Sequence, residues 1–193
     1  PACGTRWQAA INVVDDVETF SKDIQYKNKK QADELLVHKA CLLSGEVLHW
    51  LVDNHGQQFD LIGSFLYPGH SVHRMHCHPK RTGKALIDSL VTAVNKAGVD
   101  IINSATVTDI FASKTSNIRG IRILRPDGST EDIGCDSLIL ACNGFGGNSS
   151  MVSKYIPEMA DALYFGHPGN LGDAVNWGVG LGAAIKNMGA YQG

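Results

Sequence analysis

The chain has 193 residues, of which 44% are hydrophobic and 19% are charged, and its formal net charge at pH 7 is −2. This composition is typical of a globular protein and argues against disorder, and the interspersed charges give no basic surface for nucleic acid or anionic lipid. Five cysteines without a CxxC pair indicate a reducing compartment, so we expect a cytoplasmic protein. No uninterrupted apolar run approaches the roughly 20 residues of a bilayer span, so we expect no membrane span.

The first part of the chain is predicted to be helical from Asp15 to about His55. An Asp-capped segment, "DDVETFSKDIQ", precedes "ADELLVHKACLLSGEVLHWLVDN", in which apolar residues recur at intervals of three and four. The segment from Gly56 to Gly83 is rich in Gly, His and Pro, which predicts a long loop that covers a site or lies at an interface. The residues expected to line the buried face of the second helix are Leu35, Leu36, Leu42, Leu43, Val47, Leu48 and Leu51.

The second part of the chain is predicted to alternate helices and strands. A helix from Gly83 to Lys96, closed by Gly98, precedes "VDIIN", a predicted buried strand, and this order is typical of the second half of a βαβ unit. An Asp127-Gly128 turn predicts an antiparallel meander, inserted before an apolar strand from Ser137 to Cys142 that returns to the main sheet. A short helix before Pro157 and a glycine-rich helix capped by Asn170 or Asp173 complete the prediction.

A histidine cluster lies in the long loop, in the sequence "GHSVHRMHCHPKR". The HxxHxH pattern could supply three zinc ligands, although no second ligand pair is evident elsewhere. The alternative is a loop whose histidine and arginine side chains contact an anionic ligand or a partner domain, since guanidinium groups suit carboxylates. The residues in question are His70, His73, Arg74, His76, Cys77, His78 and Arg81.

A glycine cluster follows the last predicted strand, in "LILACNGFGGN". Its spacing departs from the GxGxxG fingerprint of dinucleotide-binding proteins, and a simple strand-to-helix turn would explain it equally well. Glycines nevertheless allow a ligand to approach the backbone closely. Further on, Asp173 begins a predicted helix after Gly172, where it either caps the helix or accompanies a helix N-terminus that faces a polar cofactor.

Taken in order, these segments resemble the flavoprotein subunits of fumarate reductases and succinate dehydrogenases, a family that includes urocanate reductase and 3-ketosteroid dehydrogenases. The resemblance covers essentially the whole chain. "GHSVHRMHCHPKRTGKALIDSLVTAV" is similar to the family pattern "GG-x-S-x-x-R-x-H-R-P" followed by "G-x-x-L-x-x-x-L". "SLILACNGFGGNSSMVSKYIPE" is similar to "V-x-L-A-T-G-G-F-G-x-N-x-x-M-x-x-x-Y-x-P", with Asn143 in place of a family glycine. Asn tolerates positive φ better than most residues.

The resemblance implies an α/β fold class. We expect a partial FAD-binding, glutathione-reductase-like Rossmann-type domain with a small antiparallel β-meander and an N-terminal helical segment. Residues 1–14 would form a flavin-proximal segment, residues 15–82 the helical segment and histidine-rich loop, and residues 83–193 the FAD-binding part with the inserted meander.

The resemblance also implies a FAD-dependent oxidoreductase that passes a hydride between the flavin and a C-C or C=C bond next to a carboxylate or carbonyl. The substrate would be a small dicarboxylate or a ketosteroid. Arg74, His76 and His78 would lie near the substrate or the cap interface. The residues that would line FAD are Gly4, Thr5, Val107, Ala141, Cys142, Asn143, Gly144, Gly172 and Asp173.

The family's catalytic acids and substrate clamps correspond to segments beyond those matched here. We therefore expect an internal piece of a flavoprotein that is inactive alone, with the remaining parts of the parent chain as its partners. Two alternatives stay open: a non-catalytic ligand-binding or interaction domain that keeps this fold, and a metal-binding module at the histidine-rich loop.

Overall fold

The computed structural model describes residues 6–11, 14–113 and 117–191. They form two compact units, one up to Ile101 and the other from Ile102 onward. Each unit contains a three-stranded antiparallel sheet. The sequence analysis expected a boundary between residues 82 and 83. In the structure the helix Gly83–Lys96, which follows that point, belongs to the first unit.

Two helices of the first unit confirm the prediction for residues 15–55: α1 (Val17–Lys27) and α2 (Glu34–His55). Each begins after an aspartate whose side chain accepts a backbone hydrogen bond, at 2.6 Å from Thr19 N for Asp16 and at 3.1 Å from Leu36 N for Asp33. Such caps satisfy amides that lack a partner within the helix. The left-handed Gly56, with φ of 63°, ends α2.

The buried face of α2 differs from the prediction. Leu48 and Leu51 are buried as expected, together with Val37 and Cys41, which pack with Phe20 of α1. The prediction was wrong for four leucines, and Val47 is half-buried. Two adjacent faces of α2 are apolar, so the spacing of apolar residues alone could not predict which face packs against the core. The exposed fractions of the four are 76% for Leu35, 67% for Leu36, 48% for Leu42 and 40% for Leu43.

Helix α2 is also the one described helix that is long and apolar enough to cross a bilayer. It has 22 residues, and its most apolar stretch has a mean hydropathy of 1.3, with 28% of that stretch buried inside the protein. Core helices of soluble proteins meet the same criteria of length and composition. The expectation of no membrane span therefore stays a prediction.

The first sheet was missed by the sequence analysis, which predicted a loop from Gly56 to Gly83. Strand β3 (Met75–Cys77) lies at its centre, antiparallel to β1 (Arg6–Gln8) on one side and to β2 (Asp60–Leu61) on the other. Strands of two or three residues are too short to show an alternating pattern. Helix α3 (Gly83–Lys96) follows within the predicted bounds, with Thr82 as its cap and Gly98 at φ of 71° after it.

The second unit confirms the predicted meander of β4 (Thr106–Ala112), β5 (Ile118–Leu124) and β6 (Thr130–Gly134). Helices α4 (Ser149–Tyr155) and α5 (Asp173–Gly180) follow, with a short 3-10 helix at Pro157–Met159 between them. The expected capping of α5 by Asn170 or Asp173 was wrong. Gly172 occupies the cap position without a side chain, while the Asn170 amide donates to the Tyr164 hydroxyl at 2.6 Å.

Two predicted parallel strands are not formed. Within the described residues, neither "VDIIN" nor the segment 137–142 pairs with another strand, and Ile102 and Ile139 are 52% and 89% exposed. The prediction was wrong because an apolar run becomes a strand only beside a hydrogen-bonded neighbour. No described strand occupies that position.

Candidate functional site

The second unit contains two turns that are hydrogen-bonded to each other: the first turn, residues 143–148, and the second turn, residues 167–172. The first turn directly precedes α4, and the second turn directly precedes α5. Three hydrogen bonds join them, from Gly147 N to Asn170 O at 2.9 Å, from Gly172 N to Gly144 O at 3.1 Å and from Asn148 Nδ2 to Leu171 O at 3.0 Å. The two turns therefore hold one fixed arrangement and place Gly144 and Gly172 together.

The first turn begins with a left-handed asparagine. Asn143 has φ of 63°, and its Oδ1 accepts from Gly144 N at 3.0 Å. Asn is among the few residues other than Gly that adopt this conformation at low cost. The turn thus keeps a glycine-like backbone with Asn143 in place of glycine, as the sequence analysis expected.

The glycines of the first turn have different roles. A Cβ atom on Gly147 would lie 2.7 Å from Pro168 O and 3.2 Å from Asn170 O, and one on Gly146 would collide with the Tyr164 ring. These two glycines are explained by the close packing of the turns. A Cβ on Gly144 would meet nothing within 4 Å, so packing against the described residues does not explain that glycine.

The open space at Gly144 fits a bound cofactor. Ala141, Cys142, Asn143 and Gly144 are all exposed, so this stretch of the chain is accessible to a ligand. Gly172 is buried beside it with φ of 85°, and Asp173 follows as the half-buried first residue of α5. The backbone at Gly144 is therefore open to the close approach of a large cofactor.

The other residues predicted to line the cofactor lie on β4 or outside the described residues. Val107 lies half-buried on β4, paired with Ile123 and next to a bulge between Val107 and Asp109. Gly4 and Thr5 lie outside the described residues.

The first unit contains a buried charge cluster formed by Arg74, Asp15 and Asp23. The Arg74 side chain is 0% exposed. Its Nε and Nη2 atoms each donate to an Asp15 oxygen at 2.9 Å, and Nη1 donates to Asp23 Oδ2 at 2.6 Å. The guanidinium also lies 4.5 Å from the centre of the Phe20 ring. Arg74 therefore joins β3 to α1 and to the segment before α1.

The charge cluster is satisfied electrostatically. Burial alone would lower the pKa of Arg74, but the hydrogen bonds to Asp15 and Asp23 outweigh it and raise that pKa. Burial opposes ionisation of Asp23 as well. Donors from Ser71 N at 2.8 Å, Ser71 Oγ at 2.9 Å and Arg74 nevertheless lower the pKa of Asp23 below its ordinary value. Arg74 and Asp23 are thus held in their charged forms.

The histidines of the predicted loop each contact different residues. His76, on β3, is 5% exposed and donates from Nδ1 to Arg74 O at 3.0 Å, while His78 Nδ1 accepts from Lys80 N at 3.2 Å. The His70 ring packs against Phe20 and Tyr67, with ring centres 6.3 and 5.8 Å away. Among the described residues, no three His, Cys, Asp or Glu side chains converge on a possible metal position.

We predict that the protein loses stability on mild acidification. Burial lowers the pKa of His70, assisted by the charge of Arg74, and burial lowers the pKa of His76. Below about pH 6.5, the ordinary pKa of histidine, the two imidazoles bind protons in the unfolded chain more readily than in the folded protein. The free energy of unfolding is therefore highest above pH 6.5 and falls as the pH drops below it. Urea unfolding at pH 7.5, 6.5 and 5.5 measures this fall.

His70→Gln is expected to flatten part of this pH dependence. His49→Gln, a substitution at an exposed position of α2, is the control and should leave the dependence unchanged. Stability that rose between pH 7.5 and 5.5 would contradict the prediction.

The sequence analysis found Arg74 but missed both of its partners. Asp15 and Asp23 lie 59 and 51 residues away along the chain. The sequence analysis interpreted Asp15 only as part of an Asp-capped helix start, and it gave no role to Asp23, which lies within α1. The signal that could have indicated these partners is Arg74 itself, because a buried arginine requires acidic side chains close by.

Comparison with known proteins decides the family. The model of the FAD binding domain family matches residues 3–192. The chain belongs to this family. FAD is therefore the cofactor of this fold, and the resemblance described from the sequence is confirmed.

One similar protein is the NADH:fumarate oxidoreductase of Klebsiella pneumoniae strain 342. It is 25% identical over 99% of this chain, which spans 20% of the relative's length. The solved structure of the open conformation of a flavocytochrome c3 fumarate reductase is 26% identical, with a TM-score of 0.83, over 94% of this chain and 33% of that one.

A third similar protein shares the fold alone. It is the 3-ketosteroid-delta4-(5alpha)-dehydrogenase of Rhodococcus jostii RHA1, solved in complex with 4-androstene-3,17-dione. Its TM-score is 0.82 at 20% identity, over 98% of this chain and 47% of that one. The chain thus spans less than half the length of each of these three proteins, and it has the α/β fold of a partial FAD-binding domain with a small meander and an N-terminal helical segment.

Proposed function

We propose that this protein is part of a FAD-dependent oxidoreductase that transfers a hydride between the flavin and a C-C or C=C bond next to a carboxylate or carbonyl. The observation that carries the proposal is the exposed turn at Gly144, which is hydrogen-bonded to Gly172 at the start of α5 in a chain of the FAD binding domain family. Bound FAD would supply the hydride acceptor or donor. The chain's own contribution is to bind the cofactor and orient it.

The residues proposed to hold FAD are mainly backbone groups. Asn143, fixed in the left-handed conformation, turns the chain so that Gly144 presents its backbone to the open space. The hydrogen bond from Gly172 N to Gly144 O holds the start of α5 beside it, with Asp173 in the first turn. Val107, Gly4 and Thr5 are proposed as further contacts on the strength of the family resemblance.

The charge cluster is proposed to support the substrate side of the enzyme. Arg74 is buried, so its role in this proposal is to fix β3 through Asp15 and Asp23 rather than to contact substrate itself. His76 lies on the strand that follows Arg74, and His78 comes directly after that strand. We propose that they lie near the substrate or the cap interface.

For the substrate, we propose a small dicarboxylate, with a ketosteroid as the second candidate. The similarity to the fumarate oxidoreductase and to the flavocytochrome c3 fumarate reductase supports the first. The second rests on the fold shared with the ketosteroid dehydrogenase. Assays of the whole protein with fumarate and reduced viologen, and with a ketosteroid and an electron-accepting dye, distinguish the two.

We also propose that the protein acts in the cytoplasm. The described cysteines, Cys41, Cys77, Cys135 and Cys142, are all free thiols. Free thiols persist in reducing compartments.

The remaining parts of a larger flavoprotein are proposed to supply the catalytic acid and the substrate clamps.

The decisive experiment is a FAD titration followed by flavin fluorescence and absorbance. Gly144→Leu is expected to weaken FAD binding at least tenfold, about 1.4 kcal/mol, because the new side chain fills the space proposed for the cofactor. The midpoint of urea unfolding without FAD should stay nearly unchanged, since a Cβ at this exposed position meets nothing within 4 Å.

Gly63→Leu is the matched control, because a Cβ on Gly63 also meets nothing within 4 Å and Gly63 belongs to the other unit. It should bind FAD as the unmodified protein does. A protein that bound no FAD would favour a non-catalytic domain that keeps the fold. Unchanged affinity in Gly144→Leu would refute the placement of the cofactor.

A further inference from the structure

Tyr164 contacts both of the hydrogen-bonded turns, and the function proposed above gives it no role. Its ring lies directly against the backbone of Gly146 in the first turn, because a Cβ on that glycine would lie 2.7 Å from the ring carbon Cζ. Its hydroxyl accepts a hydrogen bond from Asn170 Nδ2 in the second turn, at 2.6 Å. One side chain thus connects the two halves of the arrangement proposed to hold FAD.

The ring of Tyr164 also explains two glycines. A Cβ on Gly166 would collide with the Tyr164 hydroxyl and ring, just as one on Gly146 would collide with the ring. Neither Gly146 nor Gly166 has a positive φ, so their backbone conformations do not require glycine. What these positions require is the absence of a side chain where the tyrosine ring lies.

Asn170 is held at both of its polar ends. Its backbone oxygen accepts from Gly147 N of the first turn at 2.9 Å, and its side-chain amide donates to the Tyr164 hydroxyl. The loss of Tyr164 would therefore release the residue that accepts a hydrogen bond between the turns. The second hydrogen bond between backbone groups of the turns, from Gly172 N to Gly144 O, lies at the proposed cofactor position.

We propose that Tyr164 is a positioning residue for FAD. It holds the first turn against the second, so that Gly144 and the start of α5 keep the spacing that the cofactor requires. Tyr164 acts through Gly146 and Asn170 and does not contact the cofactor itself. The part of this inference that concerns FAD rests on the proposed function, whereas the effect of Tyr164 on the turns does not.

The exposure of Tyr164 separates this role from that of a core residue. The residue is 42% exposed, so water reaches part of its side chain. Tyr164→Phe keeps the ring against the glycines and removes only the oxygen that accepts from Asn170. We therefore expect the urea midpoint of Tyr164→Phe without FAD to stay nearly unchanged, and a change in FAD affinity then reports the geometry of the turns.

The first experiment measures amide hydrogen exchange by NMR in the absence of FAD. Tyr164→Ala is expected to speed exchange of the Gly147 and Gly172 amides about tenfold or more, because both donate between the turns. Exchange of the Cys135 amide, which donates to β5, should stay unchanged, because the meander does not depend on Tyr164. Equal acceleration at all three amides would indicate loss of the whole fold and would contradict a local role.

The second experiment is a FAD titration of the same variants. Tyr164→Ala is expected to weaken FAD binding about tenfold or more. Tyr164→Phe should restore most of the affinity and leave a loss of about threefold, the effect of one partly exposed hydrogen bond. Tyr26→Ala is the control, because Tyr26 is 82% exposed on α1 in the other unit, and it should bind FAD as the unmodified protein does.

The third experiment tests the contact between the ring and the first turn. Gly146→Ala alone is expected to weaken FAD binding and to speed exchange of the Gly147 amide, because the new methyl group displaces the ring. In a protein that already carries Tyr164→Ala, the same substitution should have little further effect, since the ring is absent. Residues in direct contact show such departures from additivity.

Three results would overturn the proposal. The first is unchanged exchange of the Gly147 and Gly172 amides in both Tyr164 variants, and the second is additive effects of Gly146→Ala and Tyr164→Ala. The third is weaker FAD binding with unchanged exchange, which would mean that Tyr164 contacts the cofactor directly. A protein that bound no FAD would instead refute the proposed function, and the exchange rates would still show whether Tyr164 holds the turns together.

Discussion

Arg74→Met is expected to lower the free energy of unfolding by about 3–5 kcal/mol, the range found when one partner of a buried ion pair is removed. Methionine keeps much of the side-chain volume, so the loss reports the charge and its hydrogen bonds. Asp15, whose side chain is 0% exposed, would be left without its counter-charge, and Asp23 would lose its closest donor. Urea unfolding at pH 7.5 measures the change.

Arg122→Met provides a closely matched control. Arg122 also donates from Nε and Nη2 to the two oxygens of one aspartate, Asp132, at 2.7 and 2.9 Å, and it lies over a phenylalanine ring at 5.2 Å. Its side chain is 42% exposed, however, so water replaces the lost contacts. We expect a loss of about 1 kcal/mol or less. Equal losses in the two variants would show that burial does not make the Arg74 cluster special.

Gly147→Ala is expected to destabilise the second unit by about 1–3 kcal/mol, the usual cost of overpacking. The added Cβ would lie 2.7 Å from Pro168 O, and a backbone oxygen cannot move without moving its turn. The hydrogen bond from Gly147 N to Asn170 O would be strained at the same time. We therefore expect FAD binding to weaken together with stability, measured by FAD titration and urea unfolding of the same preparation.

Gly144→Ala is the control for that experiment. Its Cβ meets nothing within 4 Å, so stability without FAD should change by less than about 0.5 kcal/mol. Comparing Gly147→Ala with Gly144→Ala thus tells whether the packing of the turns contributes to stability. If Gly147→Ala left stability unchanged, the two turns would not be coupled in the way that their hydrogen bonds indicate.

The elements predicted correctly from the sequence are those with local signals. Helix α1 has its aspartate cap, α3 has Thr82 and Gly98 at its ends, and the meander turns at Gly128, with φ of 85°. Each signal acts between residues a few positions apart, so the order of residues is sufficient. The glycine turn was also visible, and the order of motifs identified the family that the comparisons confirm.

The candidate site was only partly accessible from the sequence. The sequence could not tell which glycines of the first turn are needed for packing. The structure shows that a Cβ on Gly146 or Gly147 would meet neighbouring atoms, whereas a Cβ on Gly144 would meet none within 4 Å. Likewise, Arg74 was expected near the substrate or the cap interface, and only the structure shows that its side chain is fully buried beside two aspartates.

The sequence by itself therefore determined the helices, the meander, the positions of the turns and the family. Tertiary structure alone decided the pairing of β1, β2 and β3, the partners of Arg74 and the face of α2 that is buried. The physical reason is distance along the chain. Caps and turns depend on backbone groups within a few residues, whereas strand pairing, burial and ion pairs depend on which distant segment folds against them.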